Sequence, residues 1–132
     1  MQITRQADYA LRAMLYLTRL ETDKRAATNQ IAEVQKIPPS FLAKIISQLS
    51  LAGLIHTSRG ARGGVSLARP AEEISLLEVV EAIDGQITLN ECTLSDDACV
   101  FDEKCPIHDV WCESQAVLVN KLRTTTFASF VA

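Results

Sequence analysis

The sequence predicts a mainly α-helical fold carrying one small β-hairpin, on three observations. Apolar residues recur at helical spacing in several separate stretches of the chain. Two short runs of strand type, Leu54–Ser58 and Val65–Ala68, flank a turn made of Arg59, Gly60, Ala61, Arg62, Gly63 and Gly64. The carboxy end is one long periodic segment, preceded by a loop in which the cysteines concentrate.

The first helix is expected over residues 4–20, with Thr4 as its cap. Its apolar stripe is Ala7, Ala10, Leu11, Met14, Leu15 and Leu17, with Arg5, Asp8, Arg12 and Arg19 off that stripe. A polar connection follows, and Thr28 or Asn29 caps a short second helix that ends before Pro38 and carries Ile31, Ala32 and Val34. Pro38, Pro39 and Ser40 open a third, since proline at a first helical position forfeits no hydrogen bond. Phe41, Leu42, Ile45, Ile46, Leu49 and Ala52 form its inner stripe, and Gly53 stops it. Ser40, Ala43, Lys44, Ser47 and Gln48 remain outside. Two short helices joined tightly, the second polar and basic on its outer face, match a helix-turn-helix, although core helices of other folds share that pattern.

The hairpin narrows the choice. Glycines let its tip approach a partner closely, and Arg59 and Arg62 can reach phosphates or a narrow minor groove. A helix-turn-helix followed by a basic hairpin is the layout of a winged helix. No Lys-Ser/Thr pair follows the glycines, so this is not a nucleotide-phosphate loop. Ser75 and Glu78 form a capping-box pattern for a fourth helix reaching Ile83 and closed by Gly85, with Leu76, Val79, Val80 and Ile83 inward. Asp109 is expected to cap the long last helix, whose Val110, Trp111, Val117, Leu118 and Leu122 form one apolar seam, for a homodimer or, as the alternative, for packing within the chain. Thr124–Thr126 should break it before a short tail helix. The expected organisation is thus a winged helix-turn-helix domain over 1–84 (wing about 54–68), a cysteine-containing loop over 85–108, and a dimerisation helix with tail over 109–132.

Charge divides along the same line. Residues 1–70 carry ten Lys/Arg against four Asp/Glu, and residues 71–132 carry three against twelve. The net charges, +6 and −9, assign any contact with double-stranded DNA to the first half. At 132 residues and 48% hydrophobic, the chain has material for one core. Arg5, Asp8 and Arg12 interrupt what a signal peptide would need as an apolar run, and no stretch is long enough to span a bilayer. A cytoplasmic protein without membrane contact is expected.

All four cysteines lie within the 21 residues from Cys92 to Cys112, together with His108. In a reducing compartment such clustering points to metal or redox chemistry rather than to structural disulfides. Thiolates are soft donors suited to iron–sulfur clusters, zinc or Cu(I). The paired C-x2-C knuckles of zinc ribbons are missing, and gaps of six and five residues between Cys92, Cys99 and Cys105 suit a multi-iron cluster better. His108, three residues beyond Cys105, is a candidate fourth ligand, with its alternative reading a helix cap. Cys112, four further on, is either a ligand or a small buried seam residue, the latter preferred.

The segment I-P-P-S-F-L-A-K-I-I-S-Q-L-S-L-A-G-L-I-H-T-S-R-G-A-R-G-G-V-S-L-A-R, with D-Y-A-L-R-A-M-L-Y-L before it, resembles the Rrf family of bacterial winged-helix regulators that includes IscR, NsrR and CymR. The likeness extends over essentially the whole chain. It implies a non-enzymatic, homodimeric transcription regulator. Its third helix would enter the major groove with Ser40, Lys44 and Gln48, while Arg59 and Arg62 grip the minor groove or backbone. It also implies that Cys92, Cys99 and Cys105 hold an iron–sulfur cluster. Ligation by His108 implies [2Fe–2S], the form favoured, whereas Asp8 of the partner subunit as fourth ligand implies [4Fe–4S]. The other reading of Asp8 is an ion pair with Arg12 or Arg5. Two alternatives stay open: the same regulator using zinc or a thiol switch, and a thiol-redox or electron-transfer protein. The latter is weakened by the missing C-x-x-C and nucleophile–base pair. No small-molecule substrate is indicated.

Overall fold

The computed structural model describes residues 2–21, 24–60, 63–93 and 105–131. Its helices are α1 (Arg5–Thr18), α2 (Thr28–Gln35), α3 (Pro39–Leu51), α4 (Leu76–Asp84) and α5 (Pro106–Thr124). Strands β1 (Ile55–Ser58) and β2 (Gly64–Leu67) follow α3, and short 3-10 turns occupy Ala71–Glu73, Glu91–Thr93 and Phe127–Phe130. Among the described residues no helix is long and apolar enough to cross a membrane.

The central element is α1. Thr4 caps it, its hydroxyl accepting from the Ala7 amide at 3.1 Å, and donates to Asp84 at the end of α4 at 2.5 Å. Ala7, Ala10 and Ala13 are fully buried, and such small side chains let neighbouring helices pack close against the α1 backbone. Met14 and Leu17 extend this face into a core shared with Ile31, Leu42, Ile45, Leu49, Leu54 and Val79. The predicted stripe is therefore rotated slightly: Ala13 is inside, while Leu11 and Leu15 lie at the edge of the core.

Cap positions depart from expectation twice. The cap of α2 is Ala27 rather than Thr28 or Asn29; with no side-chain acceptor of its own, Ala27 donates its amide to Gln30 Oε1 at 3.1 Å. The long helix begins at Pro106 with Cys105 in the cap position, so Asp109 lies in the first turn instead of capping it. Pro106 supplies the same N1 signal as Pro39 does for α3, a preset φ and no lost N–H. The capping box of α4 is present, with Glu78 N to Ser75 Oγ at 3.2 Å and Ser75 N to Glu78 Oε2 at 3.1 Å.

The hairpin is antiparallel, with Ile55 opposite Leu67 and Ser58 opposite Gly64. Ala26 adds a one-residue third strand, exchanging both backbone hydrogen bonds with Val65 at 2.8 and 2.9 Å. That bridge explains Gly64, because a Cβ there would lie 2.8 Å from the Ala26 carbonyl oxygen. At the tip, Gly60 has φ +97°, a conformation costly for any other residue.

The carboxy end returns to the winged domain. Thr126 pairs with Ser75, the Phe127 amide donates to Ile74 O, and the Leu76 amide donates to Thr125 O, both at 3.0 Å. Phe127 is thereby placed in the main core, only 1% exposed. Helix α5 packs through Leu118, Val119 and Leu122 against Leu77 and Val80 of α4 and against Ile87 beyond it.

Candidate DNA-reading face and cysteine site

Helix α3 turns Leu42, Ile45, Ile46 and Leu49 inward, which by helical geometry presents Ser40 and Lys44 outward, both exposed, with Gln48 half-buried. Beside them lies a groove between the start of α2, the outer face of α3 and the hairpin, lined among others by Thr28, Ser47, Ser50 and Arg59. The structure thus brings Ser47 of α3 and Arg59 of the wing to one concave surface. Arg62 lies outside the described residues.

One contributor to this face went unnoticed in the sequence. Arg25 donates to the Ser58 hydroxyl, which adds a guanidinium beside Arg59. Only the bridge from Ala26 to Val65, spanning about forty residues of sequence, brings Arg25 there. Phe41, expected inside, is 41% exposed and sits against Tyr9 of α1, ring centroids 6.2 Å apart. The first turn of α3 projects beyond the core, so its stripe starts one residue later, at Leu42.

At the other end, Cys92 lies in the turn Glu91–Thr93 and Cys105 precedes α5, both half-buried. Cys99 lies outside the described residues, so the predicted triad is placed in two of its three members. Among the described residues no three His, Cys, Asp or Glu side chains are grouped to hold a metal. His108, on the first turn of α5, has Nε2 3.4 Å from Cys112 Sγ, and its buried Nδ1 has no hydrogen-bond partner among the described residues. Cys112 is exposed on this face rather than buried in a seam. Asp8 accepts from Arg12 Nε at 2.9 Å, the i, i+4 ion pair weighed from sequence.

The turn carrying Cys92 is fastened to α5. Gln115 Oε1 accepts from the Leu89 amide at 3.0 Å and lies 2.8 Å from the Thr93 hydroxyl. No periodic signal marks Gln115, since its partners are more than twenty residues away.

The expected seam of α5 divides in two. Leu118 and Leu122 face α4, while Val110, Trp111 and Val117 are exposed, Val110 by 55% and Val117 by 72%, as is Ile107 outside that seam. Those four recur at helical spacing and form an uncovered apolar stripe.

Comparison with known proteins bears on both faces. A family model described as "Rrf2: Iron-dependent Transcriptional regulator" matches residues 3–132. The HTH-type transcriptional regulator NsrR of Shouchella clausii is 33% identical over 132 residues, 99% of this chain and 89% of that protein. Among solved structures, CymR, the global cysteine regulator of B. subtilis, superposes with a TM-score of 0.83 at 22% identity, over 97% of this chain and 94% of that one. T. potens IscR does so with a TM-score of 0.79 at 24% identity, over 97% and 84%. At those identities the two structures speak to the fold.

Proposed function

Because this chain belongs to the Rrf2 family and is a DNA-binding transcription regulator, we propose that it acts as a homodimer whose grip on a palindromic operator is set by an iron–sulfur cluster held by Cys92, Cys99 and Cys105. The relatives are named transcriptional regulators, and the chain is a regulator rather than an enzyme. Bound there, the cluster supplies a centre that iron shortage, oxidants or nitric oxide can remove or alter.

The observation that carries this reading is the donor set at the start of α5. Cys105 stands at the cap of that helix and Cys112 beside His108, whose buried Nδ1 has no partner among the described residues. A buried polar atom left unpaired costs about 1–3 kcal/mol, which ligation would remove. Ligating imidazoles are usually oriented through their other nitrogen, and here Cys112 Sγ stands at Nε2. This favours His108 as fourth ligand and Cys112 as its orienting neighbour. The Asp8–Arg12 pair engages the carboxylate that would otherwise serve as Asp8 of the partner subunit. Together these favour [2Fe–2S] over [4Fe–4S].

At the reading head, α3 enters the major groove with Ser40, Lys44 and Gln48, and Arg59 and Arg62 reach the flanking minor groove or backbone. Pairing through the exposed stripe of α5 would set two heads on half-sites about 34 Å apart. Loss of the cluster would untie the cysteines from one another and so bias the arrangement of the two heads.

Anaerobic purification, an absorption spectrum and iron and sulfide counts test the cluster. Brown protein with stoichiometric iron and sulfide is expected. Cys92→Ala and Cys105→Ala should each lower bound iron to background and make operator affinity equal to that of demetallated wild type. Colourless protein with one zinc per chain would replace the cluster reading with the zinc alternative. At the wing, Arg59→Ala should reduce the slope of log K against log salt by about 1 in fluorescence-anisotropy titrations. An unaltered slope removes Arg59 from the interface.

A further inference from the structure

We propose that Gln115 is a positioning residue for the cluster limb that carries Cys92, an inference that rests on the cluster reading above. Its single amide oxygen, Oε1, reaches two points of the segment around that cysteine: the Leu89 amide at 3.0 Å and the Thr93 hydroxyl at 2.8 Å. These points stand three residues before and one after Cys92, so the oxygen spans the turn that presents the thiol. A backbone amide can only donate, which fixes the oxygen rather than the Nε2 of Gln115 toward Leu89. The Thr93 hydroxyl has one proton and lies within reach of both Gln115 Oε1 and Asn90 O, the latter at 2.6 Å. It thereby ties the inside of the turn to the helix.

The anchor matters because of what holds Gln115. It sits one turn before Val119 and Leu118, which pack against α4, and one turn after Cys112, the neighbour of His108. Helix α4 in turn packs on α1 and α3. Gln115 therefore connects the Cys92 limb to the same rigid helix that carries His108. Cys105, at the start of that helix, needs no such tie. Among the described residues, these side-chain hydrogen bonds keep the Cys92 limb in register with α5.

Gln115→Leu removes the acceptor at nearly constant size, and Gln115→Glu restores it. Three proteins, wild type and the two variants, are loaded with iron and sulfide without oxygen and mixed with a ferrous chelator. Gln115→Leu should release iron about 10–100-fold faster than wild type, the usual scale for residues that orient ligands. Gln115→Glu should return the rate toward wild type. In iron-free protein, hydrogen exchange at the Leu89 amide should accelerate in Gln115→Leu and recover in Gln115→Glu. Iron release unchanged in Gln115→Leu overturns the proposal, as does acceleration that the glutamate fails to rescue, which would mark lost packing instead. A wild type that never takes up iron defeats the cluster reading and this inference with it. A loaded wild type with indifferent Gln115→Leu defeats this inference alone.

Discussion

Replacing Phe127 by alanine is expected to destabilise the protein by about 3–5 kcal/mol, the range for truncating a buried aromatic residue. The ring is 1% exposed and joins the cluster built by Met14, Leu49, Leu54 and Ile74. Its edge meets Phe130 at 6.1 Å between centroids. Domains of this size are stable by about 5–15 kcal/mol, so one side chain near the carboxy terminus would remove a large share. Urea unfolding followed by circular dichroism measures it, and operator binding at 37 °C should fall with the folded fraction. The same transition should govern every probe, because the backbone bonds of Thr125 and Phe127 to Leu76 and Ile74 join the tail to the start of α4. A midpoint shift corresponding to less than about 1 kcal/mol would mean that the pocket collapses around the missing ring.

The second large effect concerns the exposed stripe of α5. Val110→Glu combined with Val117→Glu is expected to yield a folded monomer whose operator affinity is about 10²–10⁴-fold weaker, the loss that follows when two linked reading heads bind separately. Both side chains are largely exposed in the single chain, so their replacement leaves the described core intact. Two carboxylates placed on that stripe would be buried without partners in a paired helix, which opposes association strongly. Sedimentation velocity reads the mass, circular dichroism the retained helix, and anisotropy the operator affinity. A double variant that still sediments as a dimer would move the subunit interface away from α5.

The elements legible in the sequence share one property: their signal is local. Thr4 and the Ser75–Glu78 box are contacts within one turn, and each appears where its pattern predicts. The alternation of Val65 and Leu67 and the glycine-rich tip were enough for the hairpin. Errors arose where local signals competed. Asp109 looked like a cap because Asp commonly is one, yet Pro106 three residues earlier had already set the helical φ. Phe41 and Val34 are apolar at helical spacing but lie beyond the reach of the core. Periodicity tells which face is apolar without telling where the neighbouring element ends.

The outward placement of Ser40 and Lys44 was visible for the same reason, since the buried stripe of α3 fixes it. Arg25 was not, because a bridge between Ala26 and Val65 delivers it. The seam of α5 was read as a single face, whereas α4 covers Leu118 and Leu122 and leaves Val110 and Val117 open.

By itself, then, the order of residues determined a winged helix with a basic first half, a cysteine-rich stretch of sequence and a long apolar-striped helix. Helical period, proline and glycine act within a few residues, and that is enough to define those features. Only the tertiary structure decided that Phe127 closes the core of the winged domain, that Gln115 fastens the turn of Cys92, and which half of the α5 stripe stays uncovered. Each of these joins residues far apart in the chain. Such contacts arise from the shape into which the helices pack, and no window of neighbouring residues contains them.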